Sequence, residues 1–371
     1  MTHKGNIYPV VVPKWGLTME AGLLGAWQVN DGATVAVGDE LLDIETEKIT
    51  NTVEATHAGI LRLVGKAGET YPCGALIGVI AEASVTEEEC AAFIAVHVGR
   101  LNQVRAEHHG PAPQMLAVQG RTLRYLTQGT GEIPILLIHG FAGDLNNWLL
   151  VQPALAERSA TYAIDLPGHG GSSKDLSDIN SFEDVADVMY LFLDALGIAK
   201  THIVAHSMGA AIAFAMARRA SDRIASLSLL APVDLGRQAD DEFINGVLAA
   251  KNRRQLVDVL KTLFVDKDVV SREAVENMLK FKRLDGAEAA LAKYAGFLRK
   301  EKRPPGEALE GFTQPGIVIW GAQDKIIEPM TDGKLPKNVN LILLNDTGHM
   351  PHMEQGATTA ELIRTLIERA T

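Results

Sequence analysis

The chain has 371 residues, a formal net charge of −11 and a hydrophobic share of 47%. That is ample for more than one packed core, and the negative balance without a Lys/Arg stripe interleaved with aromatics excludes a nucleic-acid surface. Cys73 and Cys90 are the only cysteines, which leaves no disulfide framework and no cysteine-based metal cluster; a reducing cytoplasmic setting is expected.

Met1-Thr2-His3-Lys4 leads straight into folded-looking sequence without an apolar signal segment, and no run reaches the roughly 18 apolar residues of a membrane span. Residues 5–81 read as a small all-β domain. Short strands are expected at Tyr8–Pro13, Gly22–Val29, Glu40–Glu45, Asn51–Glu54, Gly59–Leu63 and Leu76–Ile80, broken by glycine turns such as Asn30-Asp31-Gly32 and Gly65-Lys66-Ala67-Gly68. The most exposed turn should be Glu45-Thr46-Glu47-Lys48, a polar tip between an apolar run and the next alternating strand.

This segment resembles the lipoyl domains of the 2-oxo acid dehydrogenase complexes. Glu45-Thr46-Glu47-Lys48-Ile49 matches the family's attachment motif, and Pro13-Lys14-Trp15-Gly16-Leu17-Thr18-Met19 matches its opening segment. The resemblance implies a flattened barrel of the lipoyl/biotinyl type with lipoate attached covalently to Lys48. Biotin carriers place methionines on both sides of the lysine, and Glu47 and Ile49 depart from that pattern.

Residues 82–114 form a connector. Val85 to Val104 has helical spacing with Glu87-Glu88-Glu89 near its start, where a helix dipole favours acids. Arg105 to Pro113, including His108-His109, reads as a solvated hinge rather than a metal site.

From residue 115 to 371 the pattern changes to apolar strands alternating with helices. A hairpin is expected from Met115–Val118 and Thr122–Leu126, then buried strands at Ile133–Ile138, Tyr162–Ile164, Thr201–Ala205, Ile224–Ala231, Ile317–Trp320 and Asn340–Leu344, with a helix at Phe182–Leu196. Within this frame, Ile203 to Ala211 carries a serine between small residues at the junction of a β-branched run and an Ala-rich helical segment. That is the context in which Ser207 is held out as a nucleophile. The stretch about 234–312 is largely helical.

This part resembles the α/β-hydrolase fold with a helical cap. The resemblance implies a Ser207, Asp324 and His349 triad, with the serine attacking an acyl carbon, the histidine moving the proton and the aspartate orienting the imidazole. It also implies an oxyanion hole from the amides of Phe141, after His139-Gly140, and Met208, after the serine. His352 and Asp234 are rivals for base and acid. His169 reads as structural, and His206 as lining the turn or pocket. Arg253, Arg254, Lys280, Lys282 and Arg283 read as solvated helix faces, with phosphate binding as the alternative. No metal site is expected.

A lipoyl carrier followed by a hydrolase-type domain is similar to the E2 subunits of bacterial acetoin dehydrogenase complexes. The resemblance implies acetyl transfer from the lipoyl arm to coenzyme A, thiamine diphosphate-dependent E1 and flavoprotein E3 partners, and a homo-oligomer. Two alternatives stay open: a tethered thioesterase or ester hydrolase, and a carrier and assembly subunit whose hydrolase-like part is not catalytic.

Overall fold

The computed structural model describes residues 6–13, 21–45, 50–95, 112–300, 307–330 and 335–370. Two compact units divide the chain, residues 1–110 and 111–371. The lysine motif at 46–49, the opening segment from Lys14 to Met19 and most of the expected hinge lie outside the described residues.

Among its described residues the first unit is all-β apart from helix at residues 87–95. Its strands are Ile7–Val11 (β1), Ala21–Trp27 (β2), Thr34–Val35 (β3), Glu40–Glu45 (β4), Thr50–Glu54 (β5), Gly59–Leu63 (β6), Thr70–Pro72 (β7) and Leu76–Ala81 (β8). They form two four-stranded sheets, ordered β1-β8-β6-β3 and β5-β4-β2-β7, with antiparallel pairing throughout. Leu24, Leu41, Leu42, Ile44, Leu61 and Ile77 are fully buried between them. The β4–β5 ladder closes at the pair Glu45–Thr50, immediately before and after the lysine motif in sequence.

The second unit is built on an eight-stranded sheet ordered β16-β15-β14-β13-β11-β12-β10-β9. Its strands are Gln114–Val118 (β9), Arg121–Gln128 (β10), Ile135–Ile138 (β11), Thr161–Ile164 (β12), Thr201–His206 (β13), Ile224–Leu230 (β14), Gly316–Gly321 (β15) and Val339–Leu344 (β16). β9 and β10 are antiparallel to their neighbours, and the remaining pairs are parallel. Alternation along a strand divides the core: on β11, Leu136 and Ile138 enter one apolar cluster, while Ile135 and Leu137 enter another. Both faces are therefore covered, which accounts for the nearly continuous apolar runs read in the sequence.

Helices Gln152–Ala156 (α1), Phe182–Ala195 (α2), Met208–Ala220 (α3), Asp241–Ala249 (α4), Arg253–Leu260 (α5), Arg272–Lys282 (α6), Ala287–Lys300 (α7), Pro351–Glu354 (α8) and Gly356–Ala370 (α9) complete the unit. α4 to α7 all fall between β14 and β15 and make up the cap. Lys282, at the end of α6, is buried, and its ammonium donates to the carbonyls of Val247, Leu248 and Ala250 at the end of α4. A cation there satisfies carbonyls that a helix end leaves without partners. This corrects the reading of Lys282 as a solvated or phosphate-binding residue; Arg253, Arg254, Lys280 and Arg283 are exposed.

Asp165, completely buried after β12, ties three segments beside the site. Its carboxylate accepts from the amides of Leu145 (2.8 Å) and Gly171 (2.6 Å) and from Nε of Arg124 (2.5 Å). Removing one member of such a pair leaves the other without its counter-charge. Asp165→Ala should therefore lower the stability of the second unit by about 3–5 kcal/mol, measured as the shift in its urea transition; a loss below about 1 kcal/mol would contradict this account.

Candidate active site

β13 ends at His206 and α3 begins at Met208, so Ser207 makes the whole turn. Its φ of 51° and ψ of −116° lie in a region that residues with side chains rarely occupy. The strain is held by packing on both sides: the Ser207 amide donates to the Leu230 carbonyl at 2.9 Å, and α3 is buried from Met208 to Ala217. The hydroxyl is thereby carried on the end of a rigid strand.

His349 stands against it. Nε2 of His349 lies 3.0 Å from Oγ of Ser207, and Nδ1 lies 2.8 Å from Oδ2 of Asp324. All three side chains are buried. Asp324 also accepts from Nε1 of Trp320 (3.0 Å) and from the amides of Ile326 (2.8 Å) and Ile327 (3.0 Å). Because the ionised carboxylate only accepts, Nδ1 of His349 must donate, which leaves the Nε2 lone pair facing the serine proton. Three sequence-predicted residues are thus brought into one hydrogen-bonded line. Trp320 was not singled out in the sequence, although it stands at the end of an apolar strand four positions before the acid.

The rivals occupy other roles. His352 is fully buried with both ring nitrogens unpartnered among the described residues, and its ring packs on Trp148 and His206. It is Asp324, rather than Asp234, that meets His349. His206 lines the cavity above the serine, and its Nε2 donates to the His349 carbonyl at 2.9 Å. His169 accepts from the Ala142 amide at 3.3 Å and so supports the loop after β11.

That loop passes very close to Ser207. A Cβ on Gly140 would come within 2.8 Å of Nδ1 of His206 and 3.1 Å of the Ser207 Cβ, so a side chain there would push the loop away. Phe141 lines the cavity with Ser207, and Met208 opens α3 at the positive end of its dipole. The amides of Phe141 and Met208 have no acceptor among the described residues.

The cavity over Ser207 has a volume of about 420 Å³. Phe243, Leu260, Leu263, Phe264, Met278 and Phe281 of the cap form its apolar wall, and Asp144 is the one acidic residue among the described residues that line it. Among the described residues no lysine or arginine lines it. Among the described residues no cluster of His, Cys, Asp or Glu is arranged to hold a metal ion, and no helix is long and apolar enough to cross a membrane.

Fold and site together define a carrier-type β domain followed by a protein of the α/β-hydrolase fold. Residues 133–355 match the family described as alpha/beta hydrolase fold, and residues 9–80 match the biotin/lipoyl family described as Biotin-requiring enzyme. The chain is 40% identical over 356 residues to the dihydrolipoyllysine-residue acetyltransferase component of the acetoin cleaving system of Pseudomonas putida, across 94% of this chain and 95% of that protein. It is 37% identical over 354 residues to the component of the same name from Cupriavidus necator, across 94% of each. This chain belongs to that family of acetoin-cleaving E2 components. A meta-cleavage product hydrolase from Pseudomonas fluorescens shares the fold, with a TM-score of 0.62 at 22% identity over 70% of this chain and 98% of that one.

The electrostatics around the site are set by burial. Burial pulls His206 well below the ordinary histidine range, and the neighbouring His352 and His349 add to the effect. His352 is lowered to about 3 by burial and by His349, and His202 to about 4 by burial and by Lys200. For Asp324, burial alone would raise the pKa, but the His349 charge and the hydrogen bonds from His349, Ile327 and Ile326 outweigh it and the net shift is downward. A histidine lowered on folding binds fewer protons folded than unfolded, so stability falls as pH drops below about 6.5 towards the folded value. At pH 5 His202 and His352 should each cost about 2 kcal/mol relative to pH 7. The share from Asp324 should be lost only at lower pH, beneath the usual carboxylate range. Urea unfolding at pH 7 and pH 5 measures the loss, and His352→Phe should reduce its pH dependence; equal stability at both values would refute the assignment.

Proposed function

We propose that this chain transfers an acetyl group from a carrier-borne thioester to coenzyme A, as the E2 component of an acetoin-cleaving complex. The observation that carries the chemistry is the 3.0 Å approach of the His349 Nε2 to Oγ of Ser207, with Asp324 behind the imidazole. In this reading residues 5–81 are the carrier domain, 82–114 the connector and 115–371 the transferase. Lys48 is the attachment point for lipoate, which supplies the thiol that carries the acyl group. The closure of the β4–β5 ladder at Glu45 and Thr50 agrees with a lysine presented between two paired strands. The E1 and E3 enzymes of such a complex are the expected partners.

Ser207 attacks the thioester carbon while its proton passes to Nε2 of His349. Collapse breaks the carbon–sulfur bond, and the imidazolium returns the proton to the departing sulfur. Asp324 stabilises the imidazolium and keeps its tautomer. The amides of Phe141 and Met208 donate to the oxygen as it gains charge, an interaction stronger in the tetrahedral species than in the flat carbonyl. The coenzyme A thiol then attacks the acetyl-serine with His349 as base, forming the new thioester and freeing the hydroxyl.

One observation favours a second reading, in which water is the acceptor. Coenzyme A carries phosphates, and among the described residues the cavity lining contains no lysine or arginine to meet them. The two readings part on the fate of a labelled acetyl group on the lipoylated protein. Transfer to coenzyme A is expected in the wild type, reduced at least about 10³-fold in Ser207→Ala and lost in Lys48→Arg. Label released as acetate would establish the hydrolase instead, and undiminished transfer by Ser207→Ala would reject the serine as nucleophile.

A further inference from the structure

The cap and the loop carrying His349 are joined more closely than separate elements need to be. The His349 amide donates to the Leu263 carbonyl at 2.8 Å. Glu354, the last residue of α8, binds one main-chain amide from each side: Oε2 accepts from Gly348 and Oε1 from Val265, both at 2.7 Å. The approach is close enough that a Cβ on Gly348 would fall 2.8 Å from the Leu263 carbonyl oxygen, 3.2 Å from Oε2 of Glu354 and 3.3 Å from the Val265 amide. Leu263 and Phe264, within the same cap segment, form part of the cavity wall. A group pressing on that wall therefore pushes on a segment hydrogen-bonded to the backbone of the catalytic base.

We infer that Glu354 is a positioning residue, whose carboxylate locks cap residues 263–265 to the Gly348–His349 loop so that an acyl group pressing on the cavity wall holds His349 more firmly against Ser207. The inference rests on Ser207 and His349 acting as nucleophile and base. A carboxylate suits the task because its two oxygens each accept from an amide without competing. An amide in its place offers one oxygen and turns an NH₂ towards the second N–H. A purely structural clamp would affect every acyl group alike, whereas this one makes the rate respond to contact with Leu263 and Phe264.

The test measures acylation of Ser207 in the full-length protein by p-nitrophenyl acetate and p-nitrophenyl hexanoate, read as the burst of p-nitrophenolate. In the wild type the longer acyl group should acylate faster at saturation. Glu354→Ala should lower the saturating rate for hexanoate about tenfold, the scale of losing charge-assisted hydrogen bonds. It should bring the hexanoate-to-acetate rate ratio close to one while KM still falls with chain length. Glu354→Gln should shift the ratio the same way and serves if the alanine variant does not fold. A wild-type ratio in Glu354→Gln, or an equal loss for both esters, would overturn the inference. Ser207→Ala is measured in parallel: a burst that survives there overturns the nucleophile assignment, and this inference with it.

Discussion

The hydrogen bond between Asp324 and His349 is the constraint on which the rest of the site depends. A buried carboxylate keeps its charge only when its lone pairs are filled. The Trp320 indole and the Ile326 and Ile327 amides fill part of that demand from within the acid's own loop and strand. His349 supplies the remaining donor through Nδ1. The tautomer follows, and with it the direction of the Nε2 lone pair. Ser207 adds the complementary half: its strained backbone brings Oγ to that lone pair.

The same economy explains how much of the site was legible in the sequence. Ser207, Asp324 and His349 each follow a strand in the large sheet, and strands buried on both faces leave apolar runs that are easy to read. The landmarks around them carried the resemblance to the hydrolase fold. Thr34–Val35 and Thr70–Pro72 were missed because two or three residues contain no measurable period. Lys282 looked like a solvated charge because nothing local reveals that the carbonyls ending a helix more than thirty positions earlier surround it. Glu354 was invisible for the same reason: one of its two partners is local, but the other, Val265, comes from the cap.

The two units use different physics. The first closes a small core with short antiparallel strands, and its lysine motif sits between residues whose pairing ends the β4–β5 ladder. The second needs the large parallel sheet because its functional groups come from distant points in the chain and must converge at the ends of adjacent strands. Under the proposed function, joining the two in one chain raises the effective concentration of a carrier-borne group at the site without any added contact.

The histidines show how one imidazole is selected from several. His206 lies 4.8 Å from His349 and 4.6 Å from His352, measured between ring centroids. Rings this close would repel one another if more than one of them carried a charge. Burial prevents this by holding His206 and His352 neutral. His349 is also buried, but it alone among the three faces a carboxylate. His352, only three positions further along the chain, meets Trp148 instead, and neither of its nitrogens has a partner among the described residues. Two histidines three positions apart are thus separated by one electrostatic contact, the Asp324 carboxylate at Nδ1 of His349.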